Sequence, residues 1–378
     1  MIKFLAMKIL VVGAGASGIV AAINYKRNHK SDEVLVIERL DSSLKKLLAS
    51  GNGKCNLGNA KINYSLYNNP SFAKSVIDGY DYKKFFGSIS IETKLFGDFA
   101  YPVSESAVSV KEALLNSAKN LGISIKNAEK LIDFAVKDKI EVTTDKAKYL
   151  VDKLYLAGGS KSSPKLGSDG SVLDVLSKHG YKIKSPEAGL CPLYTKEKTK
   201  LVDGIRVKST VSLFKNGKLA HKESGEVLFK EHGLSGIVIF NTMSIIARDP
   251  KQSYKISLDL LPDFSLEYLK NYRNSHKFSE LLLAFLNPKL SKYLSEKFQK
   301  EDQIFASLKA LEFTFDKSYG FDFSQVTVGG VDISEVDENL MSRREKNVFI
   351  IGELLDIDGP CGGYNLTWAF ASAIKSTK

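Results

Sequence analysis

The sequence predicts an α/β protein in which a doubly wound, parallel-sheet domain is interrupted by an insert of different grammar. Three observations predict it. Residues 7–12 (MKILVV) form a short apolar run, of the kind buried on both faces of a parallel sheet, that passes straight into a Gly-rich turn and a small-residue helix. A second run, VLVIE, closes one βαβ unit at Glu38, and a third, NVFII, appears only near the C-terminus. Between them, from about residue 190 to 325, apolar and polar residues alternate around an Asn-Gly turn and then recur at helical spacing.

In chain order, GAGASGIVAAINYKRN reads as the first helix, and DSSLKKLLASGNGKCNLGNA (41–60) as a helix that dissolves into a Gly/Asn-rich loop. The chain is then polar and aromatic to about Phe99, with no readable element. Residues 106–120 form an amphipathic helix, and the stretch from 122 to 159 reads as successive strands ending on a glycine pair in KLYLAGG. Within the insert, VKSTVSLFKNGKLAHKESGEVLFK is a hairpin, whereas LEYLKNY, FSELLLAFL, LSKYLSEKF and QIFASLKAL carry helical periodicity. A discontinuous dinucleotide-binding domain, 1–189 with 326–378, is therefore expected around an insert at 190–325. The insert is expected to be β-rich to about 250 and helical over about 251–312. A chain of 378 residues suits this, because single cores stop growing beyond roughly 250–300 residues.

Composition narrows the function. With 43% hydrophobic and 26% charged residues, and no apolar run of about 18, no membrane-spanning helix is expected. The N-terminal apolar stretch runs into the Gly-rich turn rather than a cleavage site, and so is expected to be a strand rather than a signal peptide. Cys55, Cys191 and Cys361 are odd in number and far apart, which argues against a disulfide framework or a zinc site and fits a reducing cytoplasm. The formal net charge of +11 raises the question of nucleic acid. Only seven of the 54 basic residues are Arg, the lysines are spread along the whole chain, and no nucleic-acid module is recognisable. No direct nucleic-acid partner is expected.

Gly13-Ala14-Gly15-Ala16-Ser17-Gly18 is a G-x-G-x-x-G placed directly after a strand and opening a helix. Gly13 permits the tight turn, Gly15 lets a pyrophosphate approach the backbone, and Gly18 allows close helix–strand packing, while the helix N-terminus meets the negative charge. Glu38 closes the second strand twenty residues past Gly18, where an acid accepts hydrogen bonds from ribose hydroxyls. A carboxylate there repels a 2′-phosphate, which leaves FAD or NAD in this site. A second strand–glycine–acid turn, Gly352-Glu353, is followed by Gly362-Gly363-Tyr364-Asn365-Leu366 entering a helix. Flavoproteins must also hold a ribityl chain and the pyrimidine end of the flavin, so this second turn shifts the choice to FAD. Ser50-Gly51-Asn52-Gly53-Lys54-Cys55-Asn56 bares many N–H groups, and Lys54 brings positive charge; alone, it reads equally as a surface loop.

Several strings resemble one family. GAGASG (13–18), LKKLLASGNGKCN (44–56), FAYPVSESAVSV (99–110), LYLAGGSKSSPKLGSDGS (154–171), GEVLFKEHGLSG (225–236), QVTVGGV (325–331) and GELLDIDGPCGGYNLTWAFASA (352–373) occur in order over nearly the whole chain. Together they resemble the bacterial FAD-dependent oxidoreductases described as aminoacetone-oxidase-like or bile-acid-reductase-like, and SGNGKCN and GGYNL are specific to that family. The resemblance implies a Rossmann-like FAD-binding domain with an inserted β-barrel and helical domain. It implies that Gly13, Gly15, Ala16, Ser17 and Gly18 meet the pyrophosphate, and that Glu38 and Arg39 meet the adenosine ribose. Lys46 and Gly51, Asn52, Gly53, Lys54, Cys55 and Asn56 would lie along the flavin, and Leu131 would touch adenine through its backbone. Ala157, Gly158 and Gly159 would pass beneath the cofactor, with Gly352, Glu353, Gly363, Tyr364, Asn365 and Leu366 holding its ribityl and pyrimidine portions. The chain departs from the family at Lys230-Glu231 before His232, at Ile237-Val238 after GLSG, and at Pro360-Cys361 before GGYN.

No triad is expected, because flavin itself carries the redox chemistry. His232, at the start of HGLSG, is the one candidate proton donor, although a lone histidine is more often a surface or packing residue. The sequence thus points to an FAD-dependent oxidoreductase moving a hydride between a small organic substrate and flavin N5. An NAD(P)H-linked reductase, with NAD(P)H as transient co-substrate, is favoured over an amine oxidase using oxygen. A flavin-binding regulatory or RNA-associated module is the alternative of another class.

Overall fold

A computed structural model of the chain describes residues 6–378. The start of the apolar N-terminal stretch, residues 1–5, lies outside the described residues. Among those described, no helix is long and apolar enough to cross a membrane. The chain divides into two compact units, one running up to Glu187 and resuming over Val326–Lys378, the other spanning Ala188–Gln325.

The first unit is built on five parallel strands. Their spatial order is Val348–Ile350, Lys153–Leu156, Lys8–Val12, Glu33–Ile37 and Ser124–Lys126. The chain starts in the middle of the sheet and winds outward in both directions, the topology that leaves a crevice at the carboxyl ends of the central strands. Register decides what meets there. Val12 pairs with Ile37 on one side and Leu156 on the other, and Leu156 pairs with Ile350. The next residues, Gly13, Glu38, Ala157 and Ile351-Gly352, therefore emerge along one edge although they are spread over most of the sequence. Ile9, Leu10, Val11, Leu154, Leu156, Val348 and Ile350 are all buried, as both faces of a parallel sheet require.

Helix Ala16–Asn28 packs beside the last helix, Tyr364–Lys375; the Asn24 amide donates to Thr377 Oγ1 at 2.9 Å. Trp368 donates its indole N–H to Gly352 O at 2.9 Å, which ties that last helix to the strand before it. An antiparallel meander, Leu131–Val136, Ile140–Thr144 and Lys148–Val151, covers the stretch read as successive strands. Strand Ile183–Gly189, which leads out of this unit, pairs with Val326–Val331, which leads back.

The polar, aromatic stretch before Phe99, unreadable in the sequence, holds helices Pro70–Ile77 and Tyr82–Gly87 and a small sheet of Gly58–Asn59, Phe99–Pro102 and Thr93–Phe96. These elements are too short for periodicity to show.

The second unit contains a closed six-stranded barrel, in the order Leu193–Thr195, Gly233–Ser235, Lys218–Lys230, Arg206–Lys215, Tyr254–Asp259 and Leu311–Ser318. Asn216 and Gly217 turn its long hairpin with φ of 50° and 78°, as an Asn-Gly turn requires. Helices Leu266–Ser275, Phe278–Phe285, Pro288–Lys297 and Glu301–Ser307 follow. Each part of the insert also holds elements of the other type. The 190–250 segment ends in helix Ile237–Arg248, and the 251–312 segment begins with strand Tyr254–Asp259 and ends by entering another at Leu311. IVIFNTMSIIAR has strand-like, β-branched composition. Nevertheless Val238, Ile239, Thr242, Met243, Ile246 and Ala247 bury one helical face, and packing overrides propensity.

His179, at the end of helix Ser171–Lys178, stacks on Phe134 and bonds Asp133 through Nε2 (2.9 Å) and Glu345 through Nδ1 (2.8 Å), linking three separate segments of the first unit. Burial by itself would lower its pKa, but hydrogen bonds to the two carboxylates outweigh burial and raise it above the ordinary value. Because the folded pKa is raised, this stabilisation is fully present below the unfolded pKa of about 6.5 and is lost as pH rises through the folded value. His179→Gln should therefore lower the Tm by roughly 2–4 °C at pH 6 and by much less at pH 9, read by thermal denaturation across pH. An equal loss at both pH values would mean that the ring acts through packing alone.

Candidate functional site

The Gly-rich turn is shaped by close backbone approach. Gly13 has φ of 100°, and a Cβ there would lie 2.5 Å from Ala157 O; a Cβ on Gly18 would lie 1.9 Å from Gly13 O. Neither position admits a side chain. Gly15 is different, because no atom lies within 4 Å of where its Cβ would be. Its φ of −82° is ordinary, so packing does not require glycine there. Gly15 N-caps helix Ala16–Asn28, whose first turn holds no acidic residue and no side-chain cap. Helices Ala107–Asn120 and Leu266–Ser275, by contrast, are capped by Ser106 and Ser265. The free N–H groups and open space at Gly15 fit the pyrophosphate of a dinucleotide.

Glu38 is 9% exposed and accepts from Ala14 N (2.8 Å) and Leu40 N (2.9 Å), which fixes its carboxylate beneath the Gly-rich turn. It lines a cleft with Gly13, Arg39, Leu131, Gly158, Glu129, Lys130, Gly167 and Asp169. Arg39 donates to Gly167 O and Pro164 O and pairs with Asp169 at 3.5 Å, so its guanidinium pins the 164–169 loop that walls the cleft. A Cβ on Gly158 would meet Val172, and one on Gly159, where φ is 70°, would meet Ser168 Oγ. Ser160 Oγ, just beyond, is buried and has no hydrogen-bond partner.

A second cluster forms around Glu353. Its Oε2 pairs with Lys46 at 2.6 Å; its Oε1 accepts from Ser162 Oγ (2.6 Å) and Thr327 N (2.8 Å). Four strings distant in sequence thus converge on one partly buried carboxylate. Gly352 abuts Ser17, which places this cluster beside the helix N-terminus.

The third group lies at Gly363, the N-cap of helix Tyr364–Lys375, which again has neither side-chain cap nor acid in its first turn. A Cβ on Gly363 would meet Gly58 and Asn56 Oδ1. The Asn365 amide clasps Gly359 N and O, closing the turn from within, and the Tyr364 ring is buried against Tyr67. Both side chains shape the turn. Leu366 is partly buried against the core.

Gly51, Asn52 and Gly53 take positive φ in succession and are exposed together with Lys54. Lys54 pairs with Glu105 at 2.7 Å, so its charge is already committed. The Cys55 side chain is fully buried and burial pushes its thiol up to about 12, which suits a filler and not a redox group. His232 sits in the second unit, with its side chain 64% exposed beside Glu231 and Tyr194. Its Nε2 lies 3.8 Å from Glu231 Oε1 and its ring stacks on Tyr194.

Sequence reading missed Glu129, Ser162 and Thr327. The last two lie inside strings that were noticed, but only the fold shows that they reach Glu353. Glu129, 3% exposed and accepting from Thr144 Oγ1 (2.6 Å) and Tyr149 OH (2.7 Å), carries no local signal.

These contacts separate two glycines by role. Gly15→Ala should leave the Tm of the cofactor-free protein within about 1 °C, since it meets no atom, yet weaken FAD binding about tenfold or more. Gly18→Ala should destabilise by at least about 2 kcal/mol with or without cofactor. Thermal denaturation and FAD titration of both variants check this; equal loss of stability in the two would remove the ligand space assigned to Gly15.

A family model described as HI0933-like protein Rossmann domain matches residues 7–378. The chain is 31% identical over 396 aligned residues to a 3-dehydro-bile acid delta(4,6)-reductase of Clostridium scindens, covering 97% of each chain. It is 27% identical to a ribosomal RNA dihydrouridine synthase of Escherichia coli, covering 96% of this chain and 95% of that one. Among solved structures, a 3-ketosteroid-delta4-(5alpha)-dehydrogenase of Rhodococcus jostii aligns over the whole chain and 98% of its own length, with TM-score 0.47 and 13% identity. The chain belongs to the HI0933-like protein Rossmann domain family, the family of FAD-dependent oxidoreductases that its motifs resemble.

Proposed function

We propose that this protein is an NAD(P)H-linked, FAD-dependent reductase that saturates a carbon–carbon double bond conjugated with a carbonyl. The observation that carries the reading is the 31% identity, over 97% of both chains, to a relative named as a reductase of a 3-dehydro-bile acid. In such a substrate the 3-oxo group is conjugated with the delta-4 and delta-6 double bonds. Dihydrouridine differs from uridine by two hydrogens across C5–C6, a bond conjugated with the C4 carbonyl, so the name of the second relative points to the same class of bond. Both names denote reductions, which favours the reductase over the amine oxidase.

When bound, FAD supplies the two-electron chemistry. The chain's own residues bind and orient it. Backbone N–H groups at Gly15–Ser17 would hold the pyrophosphate, and Glu38, anchored by Ala14 N and Leu40 N, keeps lone pairs that would accept from the ribose hydroxyls. Glu353, paired with Lys46 and fixed by Ser162 and Thr327, would accept from ribityl hydroxyls. The uncapped N-terminus at Gly363 favours negative charge on the pyrimidine side. In the net reaction a nicotinamide hydride and one proton from water end on the two carbons of the double bond, and the nicotinamide leaves oxidised. A uridine in RNA as substrate is a second reading, favoured by the name of the Escherichia coli relative.

Anaerobic mixing of the yellow holoenzyme with NADPH or NADH tests the proposal. Bleaching of the flavin by at least one of them is expected, followed by recovery of the colour, without oxygen, on addition of a 4-ene-3-oxo steroid or a uridine-containing oligonucleotide. No bleaching by either nucleotide, or recovery with oxygen alone, overturns it.

A further inference from the structure

The small sheet in front of the last helix carries an arrangement that cofactor binding leaves unexplained. Strands Thr93–Phe96 and Phe99–Pro102 pair antiparallel, with Lys94 opposite Tyr101 and Phe96 opposite Phe99. Directly opposed residues project from the same face, so Lys94, Phe96, Phe99 and Tyr101 share one face, while Ala100 and Pro102 on the other are buried. The shared face is aromatic and open: Phe96 is 48% and Phe99 42% exposed. Phe96 meets Tyr101 edge-on at 5.7 Å between centroids, and Lys94 Nζ lies 4.9 Å from the Phe96 centroid.

This platform abuts the two turns assigned to the flavin. The Phe99 ring lies 2.9 Å from where a Cβ on Gly362 would stand, and the Tyr101 ring 3.4 Å from the corresponding point on Gly51. Asn59 of the third strand donates to Gly362 O at 3.1 Å. Glu105 receives both Lys54 of the 50–56 loop and Lys94 of the hairpin, each at 2.7 Å, so the loop and the platform are cross-linked through one carboxylate. Glu105 holds φ of 49°, a conformation that a non-glycine residue keeps only when its surroundings impose it. Two half-exposed aromatic rings on one face beside a cofactor turn, braced by an ion-pair triad, offer a flat apolar surface suited to a planar ligand.

Resting on the reading of the site as an FAD-dependent reductase, we infer that the Phe96–Phe99 face is the substrate wall, receiving the planar conjugated ring that is reduced. Phe96 and Phe99 touch the substrate, and Glu105 positions the platform against the 50–56 loop. The occupant is a fused-ring enone of hydrocarbon character, because the exposed face is mainly ring surface, with the net positive charge of the Lys54–Glu105–Lys94 triad only at its edge. A nucleobase is the alternative outcome.

The test titrates oxidised holoenzyme with a 4-ene-3-oxo steroid carboxylate and, separately, with a uridine-containing oligonucleotide, following perturbation of the flavin absorbance. Phe96→Ala and Phe99→Ala, both at exposed positions, are expected to weaken the steroid response about tenfold each while FAD affinity stays within about twofold. Glu105→Gln is expected to raise the apparent Kd for the steroid severalfold, and Phe99→Leu, which keeps bulk without an aromatic face, to fall between Phe99→Ala and the wild type. The inference is overturned if FAD affinity falls in step with the steroid response, if neither Phe→Ala variant changes the response, or if only the oligonucleotide perturbs the flavin. Absorbance is read without turnover, so a holoenzyme that binds the steroid through these rings but is not bleached by NAD(P)H would defeat the reductase reading and leave the wall intact.

Discussion

The backbones of Gly13 and Ala157 approach so closely that a methyl group on Gly13 would stand 2.5 Å from Ala157 O, and the Gly18 backbone closes on Gly13 O from the other side. This contact lets the first helix start directly above the end of its strand, pointing its N-terminus across the carboxyl edge of the sheet. The remaining pieces follow from register. Glu38, Ala157-Gly158-Gly159 and Gly352-Glu353 leave neighbouring parallel strands at the same height, so each reaches the turn without a long loop. A bulkier residue at either glycine would push the helix off the sheet and scatter the groups that depend on its position.

The site manages charge economically. Its two uncapped helix N-termini, at Gly15 and Gly363, present free N–H groups and no carboxylate in the first turn. The acids nearby are each fixed by specific donors: Glu38 by two backbone amides, and Glu353 by Lys46, Ser162 and Thr327 N. On the proposed reading, positive potential at these N-termini would face the phosphates and the two acids would face hydroxyl groups. Such preorganisation lowers the cost of binding, because few dipoles must reorient when the cofactor arrives.

Legibility in the sequence tracked the length over which a signal repeats. The G-x-G-x-x-G turn, Glu38 and the Asn216-Gly217 hairpin were readable because each is a local pattern with one structural solution. The helices of 266–307 were readable from their period. Residues 60–99 were not, since their helices span only six to eight residues and their strands four. Helix Ile237–Arg248 was hidden because its β-branched composition argues for strand, and only tertiary burial settles the matter. Within the site, the backbone cradle was legible and the side-chain network was not. The sequence shows Lys46, Ser162, Thr327 and Glu353 as separate residues, and nothing local says that they meet. His232 illustrates the converse, a residue prominent in a motif that the fold leaves exposed beside Glu231 and Tyr194.

The central claim is that the crevice at the carboxyl edge of the sheet holds FAD. The most direct test is to denature the purified protein and identify the released nucleotide by mass and visible absorbance. FAD is expected at about one per chain, present on purification or after reconstitution and removal of free FAD, with a Gly15→Ala variant retaining markedly less after the same treatment. Release of NAD or NADP instead, or failure to retain any dinucleotide after incubation with FAD, would contradict it.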